Sequence, residues 1–291
     1  MALQSHHLEA FLVISRVQNF SKAAELMHVT QSALSHRIAA LENELGAPLF
    51  IREKKGIRLT ESGEELLRFV QVKNSLEEEF LSKFKAQKGD PLKGVLRVGC
   101  YASIGRSIVL KVLAPFLKQN PGVQLFFLMR EMKALPELLR SGEADFIFLD
   151  HEFGKGKLAS HFLGEEEYVL VEAADGVRDE NIFLNHDEED FMTYRFFEKQ
   201  GEPEIHIRRS YLDEIYSCID GVAQGMGRSV LPMHLVKDDT RIRIHPEYTS
   251  LKMPVYLNYF QKPVRSELES AVIELLQKEI PLQLAERPVE E

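Results

Sequence analysis

Several things are missing from this chain of 291 residues, and each absence narrows its function. No apolar run approaches the ~18 residues that a membrane span needs. The opening stretch, MALQSHHLEAFL, has no basic leader, no apolar core and no small-residue cleavage site. A cytoplasmic location and no membrane partner are therefore expected. Cysteine is nearly absent: Cys100 and Cys218 lie far apart without CxxC spacing, which indicates neither a disulfide framework nor a zinc site. Both are expected to be buried as small hydrophobes. No nucleophile–base constellation or phosphate loop can be found, and the histidines are scattered. GMGRSV (Gly225–Val230) lacks the strand-then-helix setting of a dinucleotide fingerprint. NHDEED (Asn185–Asp190) reads as a solvated, acid-biased helix start rather than a metal site. No catalytic activity, cofactor or metal is expected.

What is present is ordinary in bulk and uneven in detail. With 44% apolar and 28% charged residues the chain can build sizeable cores, and its length suits two or three domains. The net charge of −9 is unevenly spread. Residues 1–58 hold seven Lys/Arg against five Asp/Glu and four histidines, whereas residues 59–291 hold 29 against 40. A polyanion would be repelled by most of the molecule and accepted at one end.

The local grammar divides the same way. A first helix is predicted from Ser5 to Val17, with Leu8, Phe11, Leu12 and Ser15 on one face. Ser21 is expected to cap a short helix, Lys22–Met27. Thr30 should cap a longer one from Gln31 to Leu45, closed by Gly46. Two short β pieces then flank the turn EKKG. From Glu61 to Lys88 a single helix is predicted, with Leu66, Phe69, Lys73, Leu76 and Phe80 forming a heptad-like seam. A helix of that length is weakly stable alone, so pairing with a second copy is expected. GDPLKG (Gly89–Gly94) reads as a linker, and the tail AERPVEE as frayed. Between them, strands and helices alternate as in an α/β fold with a largely parallel sheet in two lobes. VLRVGC, VQLFFLM, ADFIFLD, EEYVLVEA, ENIFLN, EIHIRRS, GRSVLP and VYLNYF are the strands. Helices are expected at Arg106–Gln119, Met132–Ser141, Glu188–Lys199, Leu212–Gln224 and Ser266–Lys278.

In the helix Gln31–Leu45, Leu34, Ile38, Leu41 and Leu45 form the stripe to be buried. The opposite face shows Gln31, Ser32, Ser35 and His36, with Arg37 at its edge. A short helix with small residues (Ala23, Ala24), a tight turn and a second helix bearing a donor-rich start match a helix-turn-helix. Gln reads adenine bidentately, and Ser and His bond to base edges or phosphates. The EKKG hairpin, with Arg52, Lys54, Lys55 and Arg58, then becomes a wing on the phosphates. A plain three-helix packing module with a solvated face is the alternative.

FSKAAELMHVTQSALSHRIAALENELGAPLFIREKKGIRLTESG resembles the N-terminal domain of the LysR-type transcriptional regulators. The likeness continues through the linker helix and returns in LRVGC, LLRSGEADFIFLD and GVAQGMGRSVLP. The resemblance implies a winged helix-turn-helix in residues 1–59, a dimerising linker helix in 60–88 and an effector-binding domain in 92–291. That last domain is expected to be similar to periplasmic binding proteins, with lobe I about 92–164 and 264–285 and lobe II about 165–263. Carried over by position, Thr30, Gln31, Ser32, Ser35, His36, Arg37, Arg52, Lys54, Lys55 and Arg58 would meet a pseudo-palindromic operator in double-stranded DNA. Family members commonly have proline where this chain has Ser32. Homodimers joined by the linker helix, tetramers built from them, and RNA polymerase as a further partner are also implied.

In a two-lobed α/β domain, small ligands bind where strand ends and helix starts converge. Ser103 falls at a helix start, where an anionic or carbonyl group is favoured; a plain N-cap is its other reading. Strand ends nominate Arg130, Glu131, His151, Arg209 and Tyr211. Arg228, where LysR-like chains place an apolar residue, would either bind a carboxylate or face solvent. Two rival classes remain at this point. A small-ligand-binding protein would have no use for residues 1–58, and an α/β enzyme with a helical interaction module needs the missing catalytic constellation.

Overall fold

The computed structural model describes residues 3–53, 56–83, 91–153, 157–202 and 205–285. The chain opens with α1 (Ser5–Val17), α2 (Phe20–Leu26) and α3 (Gln31–Leu45). Their contacts close around Leu8, Ala10, Phe11 and Ile14 of α1, Ala23 and Ala24 of α2, and Leu34, Ile38 and Leu41 of α3. The buried face of α1 keeps Leu8 and Phe11 of the predicted one but is turned toward Ala10 and Ile14, and Leu12 is only half-buried. Ser15 satisfies its hydroxyl on the Phe11 carbonyl, 2.8 Å away. The cap of α2 is Asn19 rather than Ser21; its side chain accepts the Lys22 amide at 3.0 Å, so the helix starts two residues early. Thr30 caps α3 as expected, accepting the Ala33 amide at 3.1 Å. Gly46 ends that helix at φ +66°, a left-handed conformation that favours glycine. Leu45 is 40% exposed, and Leu49 takes the core position expected of it.

A two-stranded hairpin follows, β1 (Phe50–Glu53) antiparallel to β2 (Gly56–Leu59). Then α4 runs from Glu61 to Lys83, and its Leu66, Leu67 and Val70 complete the helical core. Lys54 and Lys55, the predicted helix end at 84–88, the start of GDPLKG and the tail beyond Ala285 lie outside the described residues. Lys93 and Gly94, expected in the linker, already belong to a strand.

The rest of the chain alternates as predicted, with shifted bounds. It comprises β3 (Lys93–Cys100), α5 (Ala102–Ile104), a π-helical turn (Gly105–Val109), α6 (Leu110–Gln119), β4 (Gly122–Met129), a 3-10 turn (Met132–Ala134) and α7 (Leu135–Arg140). Next come β5 (Phe146–Leu149), β6 (Leu158–Ala173), β7 (Ile182–Asn185), α8 (Met192–Lys199), β8 (Arg208–Tyr211) and α9 (Ile215–Ala223). The chain continues through β9 (Ser229–Pro232), α10 (Met233–Val236), β10 (Ile242–Ile244), β11 (Leu251–Phe260) and α11 (Glu267–Ala285). The main sheet has the order β10-β6-β11-β5-β3-β4, with β9 also paired to β6.

That sheet is mixed, not largely parallel. β3 runs parallel to β4 and β5, but β11 is antiparallel to both β5 and β6. The reason is connectivity: β6 carries the chain out of one lobe and β11 brings it back, so the two must run in opposite directions. One apolar core packs β3–β5, α5–α7 and α11 against the outer halves of these strands. Two further cores, around Val171 and Phe196, pack on the distal halves. Between the lobes the register of β11 on β6 shifts at Val255/Tyr256.

Candidate DNA-reading face and ligand cleft

The buried stripe of α3 fixes which way its other side looks. Thr30, Gln31, Ser32 and His36 are exposed, and Ser35 and Arg37 are half-buried. Ser21 donates to the Gln31 side-chain oxygen at 3.2 Å, which links the start of α2 to the first turn of α3. On β2, Arg58 is exposed between half-buried Ile57 and Leu59. The Arg52 side chain, Lys54 and Lys55 lie outside the described part.

The second constellation was not foreseen. Glu166 lies on β6, where the chain passes between the lobes, and is 2% exposed. Ser103 Oγ donates to its Oε1 at 2.8 Å, and His234 Nε2 lies 2.8 Å from the same oxygen. Tyr168 and Tyr101 donate to Oε2 at 3.0 and 3.3 Å. His234 Nδ1 is 2.9 Å from Ser107 Oγ. A buried carboxylate with four polar neighbours thus joins α5 in one lobe to α10 in the other. Burial, then the charge of Glu166, pushes both Tyr101 and Tyr168 phenols well above their ordinary value. Ser103 is no N-cap: the cap position is Tyr101, and Ser103 is 3% exposed.

A second buried carboxylate, Glu172, sits opposite Arg243 in the β6–β10 register. It accepts from Arg243, from Arg228 Nε at 2.7 Å, and lies 2.9 Å from His245 Nε2. Burial raises its pKa, but the hydrogen bonds from Arg243 and Arg228, with His245 close by, outweigh that and hold it at about 2. Arg228 is thus paired within the chain itself. Its carboxylate partners are internal, Glu172 and, at 3.3 Å, Glu180.

Glu131 and His186 meet across the lobes at 3.3 Å. His186 also lies 3.2 Å from Asp187 and 3.4 Å from Asp190. The Asp190 hydrogen bond above all, then the charges of Asp190, Asp187 and Glu131, outweigh burial and raise the imidazole to about 9. NHDEED is accordingly not a helix start: α8 begins only at Met192, Asp187 and Asp190 fold around His186, and Glu188 and Glu189 stay exposed. Glu131, His186 and Asp187 offer three ligand-type atoms within 4.8 Å of one another.

Arg209 organises the same loop. It donates to the carbonyls of Asp187 (3.0 Å), Glu188 (3.3 Å) and Asp190, and lies 5.0 Å from the Tyr211 ring centre. Arg130 folds back on the Met129 carbonyl at 2.8 Å, and His151 pairs with Asp150 at 2.6 Å. Of the residues nominated from sequence, the structure thus joins Glu131 to the His186 loop and Arg209 to Tyr211, and gives Ser103 a partner that none of the others shares. Both cysteines are buried and free. No helix among the described residues is long and apolar enough to cross a membrane.

Comparison with known proteins agrees with this architecture. Residues 5–64 match the bacterial regulatory helix-turn-helix proteins of the lysR family, and residues 89–281 match the LysR substrate binding domain. The HTH-type transcriptional activator IlvY of Salmonella typhimurium is 30% identical over 240 residues, 77% of this chain and 81% of that protein. The HTH-type transcriptional regulator HdfR of Yersinia pestis is 24% identical, covering 92% of this chain and 94% of its own. The crystal structure of ArgP from Mycobacterium tuberculosis shares the fold over 100% of both chains, with a TM-score of 0.77 at 21% identity. A helix-turn-helix head and a two-lobed domain, joined in this order by α4 and matched along their lengths, make the chain a member of the LysR family of transcriptional regulators, and not an enzyme.

Proposed function

We propose that residues 1–59 read a pseudo-palindromic operator, that 60–88 form the dimerising helix, and that the lobes of 92–291 close on a small-molecule effector. The observation that carries the reading is the outward face of α3. Its inner stripe is consumed by the core, which leaves Gln31, Ser32 and His36 exposed at the helix start where a recognition helix meets base edges. Arg37 and the wing residues Arg52, Lys54, Lys55 and Arg58 supply the phosphate contacts. Ser32 in place of proline leaves the first turn of α3 a hydroxyl with which to read a base.

Dimerisation through α4 is supported by Phe69 and Leu81, which are 52% and 56% exposed. Apolar side chains of that size on one helix call for a partner surface. Two such dimers forming a tetramer, contact with RNA polymerase and a cytoplasmic location complete the reading. Ser103, Arg130, Glu131, His151, Arg209, Tyr211 and Arg228 frame the effector domain's inner surfaces, and ligand-dependent closure acts by shifting populations of existing states.

A mobility-shift titration on the chain's own upstream DNA tests the reading. Arg37→Ala and Lys55→Ala should each weaken binding several-fold and flatten its steep salt dependence. If neither variant changes affinity, α3 and the wing are not the reading surface.

A further inference from the structure

The Glu166 cluster has the composition of a binding site that is already filled. Two hydroxyls from Tyr101 and Tyr168, one from Ser103 and the Nε2 of His234 converge on a single carboxylate that is 2% exposed. Each of its oxygens has two polar neighbours, which matches the roughly four lone-pair sites of a carboxylate. The groups come from both lobes, as they would around a ligand trapped by closure. The occupant, however, is part of the chain, on the strand that passes between the lobes.

We propose that Glu166 is a tethered occupant of the polar subsite in the effector cleft, and that it makes this regulator exclude acids there. The effector then presents an uncharged or cationic end to this part of the cleft. The inference rests on the reading that the cleft takes an effector. Its physical basis is simple. An acid arriving at Ser103 would find the donors in use and a negative charge in place, and two carboxylates in one buried site cannot both stay ionised. A neutral or cationic group meets no such penalty.

The test is chemical rescue in the full-length chain. Glu166→Ala leaves the donors around an empty space of carboxylate shape. Formate or acetate at tens of millimolar should then raise its thermal midpoint by about 3 °C or more over chloride at equal ionic strength. The wild-type midpoint should not move. Rescue with an inert wild type supports the proposal; no rescue of a folded Glu166→Ala overturns it. Should that variant not fold, the wild type alone decides. A saturable midpoint shift with any small monocarboxylate, lost in Ser103→Ala, overturns the proposal, and the absence of such a shift supports it. Operator affinity read in the same titrations keeps the two claims apart. Rescue without any compound that alters DNA binding would sink the effector reading and leave the tethered carboxylate standing. An acid that alters DNA binding through Ser103 would do the reverse.

Discussion

Replacing Glu172 by glutamine should cost the distal lobe about 3 kcal/mol. The carboxyl is held at about 2 instead of 4.5, and that difference corresponds to about 3 kcal/mol of stabilisation at neutral pH. The figure agrees with the cost of deleting one member of a buried ion pair, about 3–5 kcal/mol. The glutamine would leave Arg228 and His245, with side chains 17% and 7% exposed, around a neutral amide. Because the chain has several cores, a single unfolding midpoint would blur the effect. Hydrogen exchange of the β9 and β10 amides reads it locally. Opening of those strands should become roughly 100-fold more frequent at pH 7, while β3 and β5 stay unchanged. The pH dependence has a definite sign. A lowered folded-state pKa stabilises fully above about 4.5, and the contribution fades as pH falls toward 2. Wild-type protection of β9 and β10 should therefore decline across that window, and the Glu172→Gln profile should lie flat. Equal protection in the two proteins at pH 7, or the same acid slope in both, would refute the reasoning.

Two further perturbations follow from local geometry. In Gly63→Ala the new methyl carbon would stand 2.2 Å from the Leu49 carbonyl oxygen and 2.9 Å from Leu59 Cδ2. Forcing α4 off the winged head should destabilise that head by about 2 kcal/mol and weaken operator binding, read by calorimetry and mobility shift. His186→Ala should remove the cross-lobe contact to Glu131. Since the folded imidazole titrates at about 9 against an ordinary 6.5, its contribution is complete below 6.5 and vanishes as pH rises through 9. The thermal-midpoint gap between wild type and variant should accordingly be a few degrees at pH 6.5 and close to zero at pH 10.

The N-terminal head was legible because its signals are local. Thr30 and Gly46 mark the ends of α3, and Leu34, Ile38 and Leu41 give its inner face at helical spacing. The sensing end was read less well for two reasons. Leu158–Glu165 mixes polar and apolar residues because that half of β6 is unevenly covered, so half of the longest strand went unseen and a parallel sheet was expected. The Glu166 cluster joins residues 63 and 68 positions apart, and no spacing rule spans such a distance. A weaker clue was available. Glu166 and Tyr168 lie at i and i+2 of EEYVLVEA and must share a strand face, and a glutamate on the same face as a tyrosine running into an apolar stretch is a candidate for burial. The internal pairing of Arg228 was hidden in the same way: its partner Glu172 is 56 positions away, and a cation beside a cleft looks the same in sequence whether it serves a ligand or a strand.

The placement of α4 decides what a change of lobe angle can reach. Glu65 pairs with Lys157, just before β6, at 2.5 Å, and Arg68 lies 4.5 Å over the ring of Phe260, the last residue of β11. These strand ends are neighbours, since Phe260 stands opposite Leu158. Farther along, Gln71 donates to the Gly142 carbonyl at 2.9 Å. All three contacts fall on the lobe that holds β3, β4 and α11. The Glu65–Lys157 pair is exposed and contributes little by itself, so the seat depends on the Arg68 stacking and the Gln71 bond. A rotation at the Val255/Tyr256 register shift leaves those contacts intact, so within one subunit the winged head moves with the near lobe. Under the proposed closure, the surface that moves belongs to the distal lobe. For the proposed closure to alter the spacing of two heads, the distal lobe would have to press on a second subunit, so on this geometry a hinge alone would not carry the signal.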